Sequence, residues 1–126
     1  QEIKIKKSWI QIGASILGII IIFYLFSSFQ LNNQQNKKYT IQIYASEGLK
    51  FDGSIGGGGN SRTIEGVGKG QYTPIEYEVT GWPAVAVIQK KDRLGGLVVI
   101  IKNSKGEVLN QQSTSAEYGI VTVSSG

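Results

Sequence analysis

The 126-residue chain contains no cysteine, no histidine and no methionine, and it has only two prolines. Without cysteine it can form no disulfide, so cysteine usage says nothing about the redox compartment. Without cysteine or histidine, the chain cannot build a zinc finger, an iron–sulfur cluster, a histidine-ligated haem or a Ser-His-Asp triad. The composition therefore excludes many catalytic chemistries before any motif is considered.

A long uncharged segment near the N-terminus is the strongest feature that is present. No charged residue occurs between Lys7 and Lys37, and residues 9–29 read WIQIGASILGIIIIFYLFSSF. At a rise of about 1.5 Å per residue, a helix over this segment is roughly 31 Å long, which matches a hydrocarbon core of about 30 Å. It exceeds the usual signal-peptide core of about 7–15 residues and lacks a good small-residue cleavage site. We expect a transmembrane helix retained as a signal anchor.

The charges that flank this segment predict its orientation. Residues 1–8 carry three lysines against one glutamate, whereas Lys37 and Lys38 stand at the end of a polar linker, residues 30–38. The positive-inside rule then places the N-terminus in the cytoplasm. Residues 39–126 are expected outside the cytoplasm, in a periplasm, a lumen or the cell exterior, with the lipid bilayer as the first partner.

One face of the predicted helix carries small and polar side chains at intervals of three or four residues, namely Gln11, Ala14, Ser15, Gly18 and Ile22. Ala14 and Gly18 form a small-xxx-small pair, which permits close helix approach in lipid. This face is predicted to contact other membrane protein subunits. The alternative is that small residues occur there by chance and face lipid.

After Lys38 the hydrophobic pattern changes to alternation, which is typical of half-buried strands. The predicted fold class is a single N-terminal transmembrane α-helix followed by a small all-β, sandwich-like domain, residues 39–126, of about seven strands. Two apolar runs, residues 84–90 and 97–102, are expected to pair through a hairpin loop at residues 91–96. Residues 103–106 are expected to form a compact turn.

Residues 48–70 hold nine of the 17 glycines, and the richest part of this segment contains Gly56, Gly57, Gly58, Gly59, Asn60 and Arg62. A phosphate-binding loop would need a Lys-Ser/Thr pair after its second glycine and a helix behind it, and neither is present. Leu49, Phe51 and Ile55 keep period two and predict a strand at the start of this segment, with Gly53 as a bulge or bend. The glycine-rich segment is otherwise expected to be a surface loop between strands. A role in partner contact stays open, because glycine lets a foreign backbone approach closely.

The remaining residues with functional potential are few. Trp82, in the sequence TGWP, is interpreted as a lid over the core in preference to an exposed anchor for a partner or the membrane surface. Glu76 and Glu78 share one face of a strand and are expected to be solvated, not catalytic. Residues 37–126 hold ten basic and eight acidic side chains, which predicts no nucleic-acid surface. No catalytic residue, cofactor or metal site is predicted.

Residues 77–81, YEVTG, follow the single predicted span, and in this the chain resembles the small mycobacterial membrane proteins that assist large lipid transporters. The cysteines and the Leu-Pro-Trp element of that family are absent, so the resemblance assigns no family.

The leading hypothesis is a non-enzymatic, single-pass accessory or stabilising subunit of a larger membrane protein complex. Two alternatives stay open. One is a pilin-like filament subunit with a helical core and a β-domain exterior. The other is a membrane-tethered β-domain that binds a ligand or glycan.

Overall fold

The computed structural model describes residues 36–126. The predicted span at residues 9–29, with its contact face of Gln11, Ala14, Ser15, Gly18 and Ile22, lies outside the described residues. Across residues 36–126 the chain forms no helix of the length and apolar character that a membrane crossing needs. This part of the chain is all-β, with eight strands in two four-stranded antiparallel sheets.

The strands follow one another at short intervals: β1 (Lys38–Ala45), β2 (Lys50–Gly57), β3 (Asn60–Val67), β4 (Ile75–Thr80), β5 (Ala84–Lys90), β6 (Leu97–Asn103), β7 (Val108–Thr114) and β8 (Ile120–Ser124). The first sheet has the order β4-β1-β6-β7, and the second has the order β3-β2-β5-β8. All neighbouring strands are antiparallel. The edge position of β4 agrees with Pro74 directly before it, because proline cannot donate to a second neighbour.

Alternation decides which side chains enter the core. In β1 the apolar residues Tyr39, Ile41 and Ile43 point inward and are at most 4% exposed. The facing side chains of the second sheet are equally buried, and both sheets contribute to one hydrophobic cluster, which includes Phe51, Ile55, Ala86, Ile88, Val99, Ile101, Val121 and Val123. Two apolar sheet faces therefore cover each other, which makes the domain a β-sandwich.

The antiparallel registers give the sandwich two ends, which we name from the start of β1. The proximal end contains that start, the turns at residues 58–59, 81–83 and 104–107, and the end of β8. The distal end contains the connections at residues 46–49, 68–74, 91–96 and 115–119.

The strand predicted through Phe51 and Ile55 is found as β2, but the surface loop predicted for the rest of residues 48–70 is wrong at the end of β2 and across β3, and β3 is the strand that raises the number from about seven to eight. Gly56 and Gly57 belong to β2 and pair with β3 on one side and β5 on the other. Only Gly58 and Gly59 form the turn, with φ of +62° and +88°. Two consecutive positive φ angles suit a tight hairpin and favour glycine.

The predicted hairpin loop at residues 91–96 is also wrong, because β5 lies in the second sheet and β6 in the first. The connection crosses from one sheet to the other at the distal end, so that the apolar faces of both strands meet in the core. The boundaries of β5 and the turn at residues 103–106 are confirmed, with Gly106 at φ +81°. β1 begins at Lys38, the last residue of the predicted linker, which pairs with Thr80.

Candidate interface at the proximal end

The proximal end is closed by backbone packed against backbone. The tip of the β2–β3 hairpin lies against Gly81, whose φ is +106°. A Cβ atom added at Gly81 would come within 2.9 Å of the Cα and N atoms of Gly58. The amide of Gly58 donates to the carbonyl of Pro83 at 3.2 Å, and the amide of Gly81 donates to the carbonyl of Lys37 at 2.7 Å. Three chain segments are thus joined where the domain begins.

Trp82 lies beside this contact and is 45% exposed. It belongs neither to the buried core cluster nor to the partly buried residues packed against that cluster, which are Ile75 and Tyr77. Its ring instead lies close to Gly126, since a Cβ atom there would be 2.8 Å from the indole. The Trp82–Pro83 peptide bond is cis. The indole therefore forms part of the domain surface, as the alternative interpretation of an exposed anchor requires.

A cleft of about 390 Å³ lies beside this indole, and it is lined by Lys37, Lys38, Tyr39, Trp82, Asn103, Ser104, Lys105, Leu109 and Ser125. Lys38 Nζ lies 3.6 Å from Glu78 Oε1, but both side chains are well exposed, so this ion pair is weak. Within residues 36–126, Lys37 and Lys105 form no ion pair. The cleft therefore presents positive charge beside an aromatic ring.

Charge is unevenly divided between the halves of the sandwich, taken on either side of the paired residues Ile41–Ile101 and Ser54–Val87. The proximal half holds five basic and two acidic side chains, which are Lys37, Lys38, Arg62, Lys102 and Lys105 against Glu78 and Glu107. The distal half holds five basic and six acidic side chains. The proximal half thus carries a net charge of +3 and the distal half a net charge of −1.

Arg62, on the second sheet, contacts the first sheet near the proximal end. Its guanidinium lies over the ring of Tyr77, 5.9 Å from the ring centroid. Its Nη2 atom donates to the carbonyl of Glu78 at 3.4 Å. Both partners belong to edge strand β4, so Arg62 links edge strand β3 to β4 across the sandwich. The cation–π contact adds to this link.

An uncharged groove of about 340 Å³ follows the outer face of the second sheet next to the hairpin. It is lined by Ser54, Ile55, Gly56, Gly57, Gly59, Asn60, Ser61, Pro83, Val85 and Val87. Asn60 and Ser61 are exposed, and the hairpin turn at its edge is exposed as well. The glycine segment and Trp82, which sequence reasoning treated as two separate features, are therefore neighbours at one end of the domain.

At the distal end the notable side chain is Lys90, which sequence reasoning missed. It is fully buried, and its Nζ donates to the carbonyl of Ala116 at 2.8 Å. Its burial could have been predicted from the alternation of β5, because Ala84, Ala86 and Ile88 point inward and Lys90 occupies the next inward position. The ammonium holds the β7–β8 connection against the end of the core.

The other distal lysine of interest, Lys91, is paired. Its Nζ lies 2.7 Å from Asp52 Oδ2. The hydrogen bond to this carboxylate, followed by its negative charge, raises the pKa of Lys91 above 10.5. Arg93 and Glu117 make a second, longer ion pair of 3.6 Å, and because both side chains are well exposed it is as weak as the Lys38–Glu78 pair. Two of the five basic side chains in the distal half are thus paired with a carboxylate, whereas Lys50 and Lys69 form no ion pair among the described residues.

Within residues 36–126 no three acidic side chains gather into a group that could hold a metal ion. No protein-family model and no curated protein matches the chain.

Proposed function

We propose that the protein is a non-enzymatic, single-pass accessory subunit of a larger membrane protein complex. Residues 9–29 anchor it with the N-terminus in the cytoplasm, and the β-domain contacts the host subunits outside. The observation that carries this proposal is the convergence of the β2–β3 turn, the uncharged groove and Trp82 at the end where the chain begins the domain.

The length of the linker supports a membrane-near position for this end. Residues 30–37 lie between the predicted span and β1. A fully extended chain covers at most about 3.3–3.6 Å per residue, so these eight residues reach no further than roughly 28 Å. Host subunits that emerge from the bilayer beside the anchor would meet the proximal end first.

The groove has the character of a protein contact surface. None of its lining residues is charged, and charged residues are depleted at the centres of protein interfaces. The exposed backbone of Gly58 and Gly59 allows close approach, because no side chain covers it. The predicted Ala14 and Gly18 face would provide a second contact within the bilayer. Two separate weak contacts joined by a short linker reinforce each other.

Site-specific photo-crosslinking in native membranes tests this proposal. The full chain carries benzoylphenylalanine in place of Asn60, at the edge of the groove, and a matched chain carries it in place of Lys69 at the distal end. Both positions are exposed, so the probe fits at each. We expect discrete crosslinks to another membrane polypeptide from position 60 and far weaker ones from position 69, with the same polypeptide comigrating after mild detergent extraction.

Two outcomes would refute the accessory-subunit function. Recovery of the chain as a free monomer in mild detergent, with no crosslink from either position, would show that the chain belongs to no host complex. Crosslinks from position 60 only to other copies of this chain, in ladders of increasing size, would favour the filament alternative.

A further inference from the structure

We propose that the cleft formed by Lys37, Lys38, Lys105 and Trp82 binds the anionic headgroups of the lipid leaflet that faces the domain. This inference rests on the proposed membrane anchoring, and it adds a ligand class and a docked orientation of the domain. The occupant is lipid, and the groove beside Val85 stays available for a host subunit.

The cleft brings together three ammonium groups from separate parts of the chain. Lys37 and Lys38 stand at the start of β1, and Lys105 comes from the β6–β7 turn. All three lysines are exposed. A lysine ammonium binds phosphate as a point charge, and a phosphate diester carries one negative charge and accepts several hydrogen bonds.

The exposed indole of Trp82 favours a membrane surface over a soluble anion as the ligand of the cleft. The indole is half exposed at the same cleft, and Leu109, another lining residue, is 42% exposed. Tryptophan prefers the headgroup level of a bilayer, where its ring is partly desolvated while its N–H keeps a polar partner. A soluble anion would gain nothing from an exposed indole and leucine beside its site.

The charge distribution favours an anionic leaflet. The proximal half carries a net charge of +3, and its two acidic side chains, Glu78 and Glu107, do not cancel it. The Debye length is about 8 Å at physiological salt, so an untethered domain would sense the surface only at close range. A linker of eight residues spans at most roughly 28 Å, and a tether of that length to a membrane anchor would raise the local concentration of the cleft at the membrane. Each lysine near an anionic surface favours docking by about fivefold.

The depth of Trp82 in reconstituted vesicles tests the proposal. The full chain carries Trp9→Phe, so that Trp82 is the only fluorescent indole. Vesicles of phosphatidylcholine alone are compared with vesicles that also contain phosphatidylglycerol, and both carry a lipid with a nitroxide on its headgroup. We expect stronger quenching of Trp82 in the anionic vesicles and a loss of that difference in high salt.

Two triple variants that remove the same amount of charge distinguish lipid binding at the cleft from attraction by the net charge of the domain. Lys37→Gln, Lys38→Gln and Lys105→Gln together should abolish the quenching difference. Lys50→Gln, Lys69→Gln and Arg93→Gln together remove the same charge from the distal half and should leave it intact.

Equal quenching in both vesicle types, with the chain still floating with the vesicles, would overturn the lipid site while leaving the anchor in place. A chain that fails to float with any vesicle would instead refute the anchoring itself. An equal loss of the quenching difference in the two triple variants would show that net charge causes the quenching, and it would overturn the assignment to the cleft.

Discussion

The two ends of the β-sandwich use similar numbers of basic side chains in opposite ways. At the distal end Lys90 is buried against a carbonyl, Lys91 pairs with Asp52 and Arg93 pairs with Glu117. At the proximal end the cleft lysines are exposed, and one weak ion pair engages them among the described residues. Three distal basic side chains are therefore engaged within the domain, whereas the three cleft lysines make a single exposed ion pair among the described residues.

The ends also differ in how they are closed. Both ends contain glycine backbone packed on backbone, with Gly81 against Gly58 at the proximal end and Gly68 against Ser46 at the distal end. Distal closure includes two long side chains, with the ring of Phe51 lying over Gly66 and the stem of Lys90 filling the last inward position of β5. Trp82 is 45% exposed at the proximal end, which is the end proposed to meet the membrane.

The largest expected effect comes from adding one methyl group at the proximal contact. Gly81→Ala combines a positive φ with a Cβ that would lie 2.9 Å from the Gly58 backbone. We expect a loss of about 4 kcal/mol in the free energy of unfolding, from backbone strain plus overpacking. The measurement is urea unfolding of the Trp9→Phe chain in detergent, followed by Trp82 fluorescence.

Gly106→Ala is the matched control for the strain alone. Gly106 also has a positive φ, but nothing lies within 4 Å of an added Cβ. We expect it to cost only about 1–2 kcal/mol. Equal losses in the two variants would show that the proximal end is not closed by backbone contact.

A smaller effect is expected at the distal end from truncating the buried lysine. Lys90→Ala removes a stem that fills the end of the core, and we expect a loss of about 2–3 kcal/mol. Lys90→Met keeps most of that volume. It loses one hydrogen bond to Ala116 but also removes a buried charge, so we expect a change within about 1 kcal/mol.

The same urea unfolding measurement ranks the two Lys90 variants. A loss in Lys90→Met as large as that in Lys90→Ala would show that the ammonium, not the stem, closes the distal end.

The smallest expected effect concerns the Lys91–Asp52 pair and depends on pH. The pKa of Lys91 is raised in the folded state above 10.5. A group with a raised pKa stabilises the fold below its unfolded pKa, and that contribution is lost as the pH rises through the folded pKa. The difference in urea midpoint between wild type and Lys91→Gln should therefore be constant from neutral pH to about pH 10 and shrink above it.

Arg93→Gln provides the control for this titration. Arg93 also pairs with a carboxylate at the distal end, but arginine stays protonated throughout this range. Its difference from wild type should not change over the same alkaline interval. A parallel decline in both variants would assign the pH dependence to other groups in the domain.

The sequence predicted individual strands better than their connections. The boundaries of β5 follow from AVAVIQK, and the inward residues of β1 follow from alternation, because period two depends on local chain geometry alone. The glycine-rich hairpin was predicted as a loop because glycine is unfavourable in strands. Pairing on both sides outweighs that preference at Gly56 and Gly57, and the Gly58–Gly59 pair is itself a hairpin signal that the prediction overlooked.

The sequence by itself determined that residues 39–126 form an all-β domain and that His- or Cys-based chemistry is excluded. Both conclusions depend on composition and short-range pattern. Only the tertiary structure decided that β5 and β6 lie in different sheets, since two apolar strands can pair side by side or face each other across a core. It also brought the glycine turn, Trp82 and the lysine cleft to one end, because antiparallel pairing places residues that are distant in the chain at the same edge.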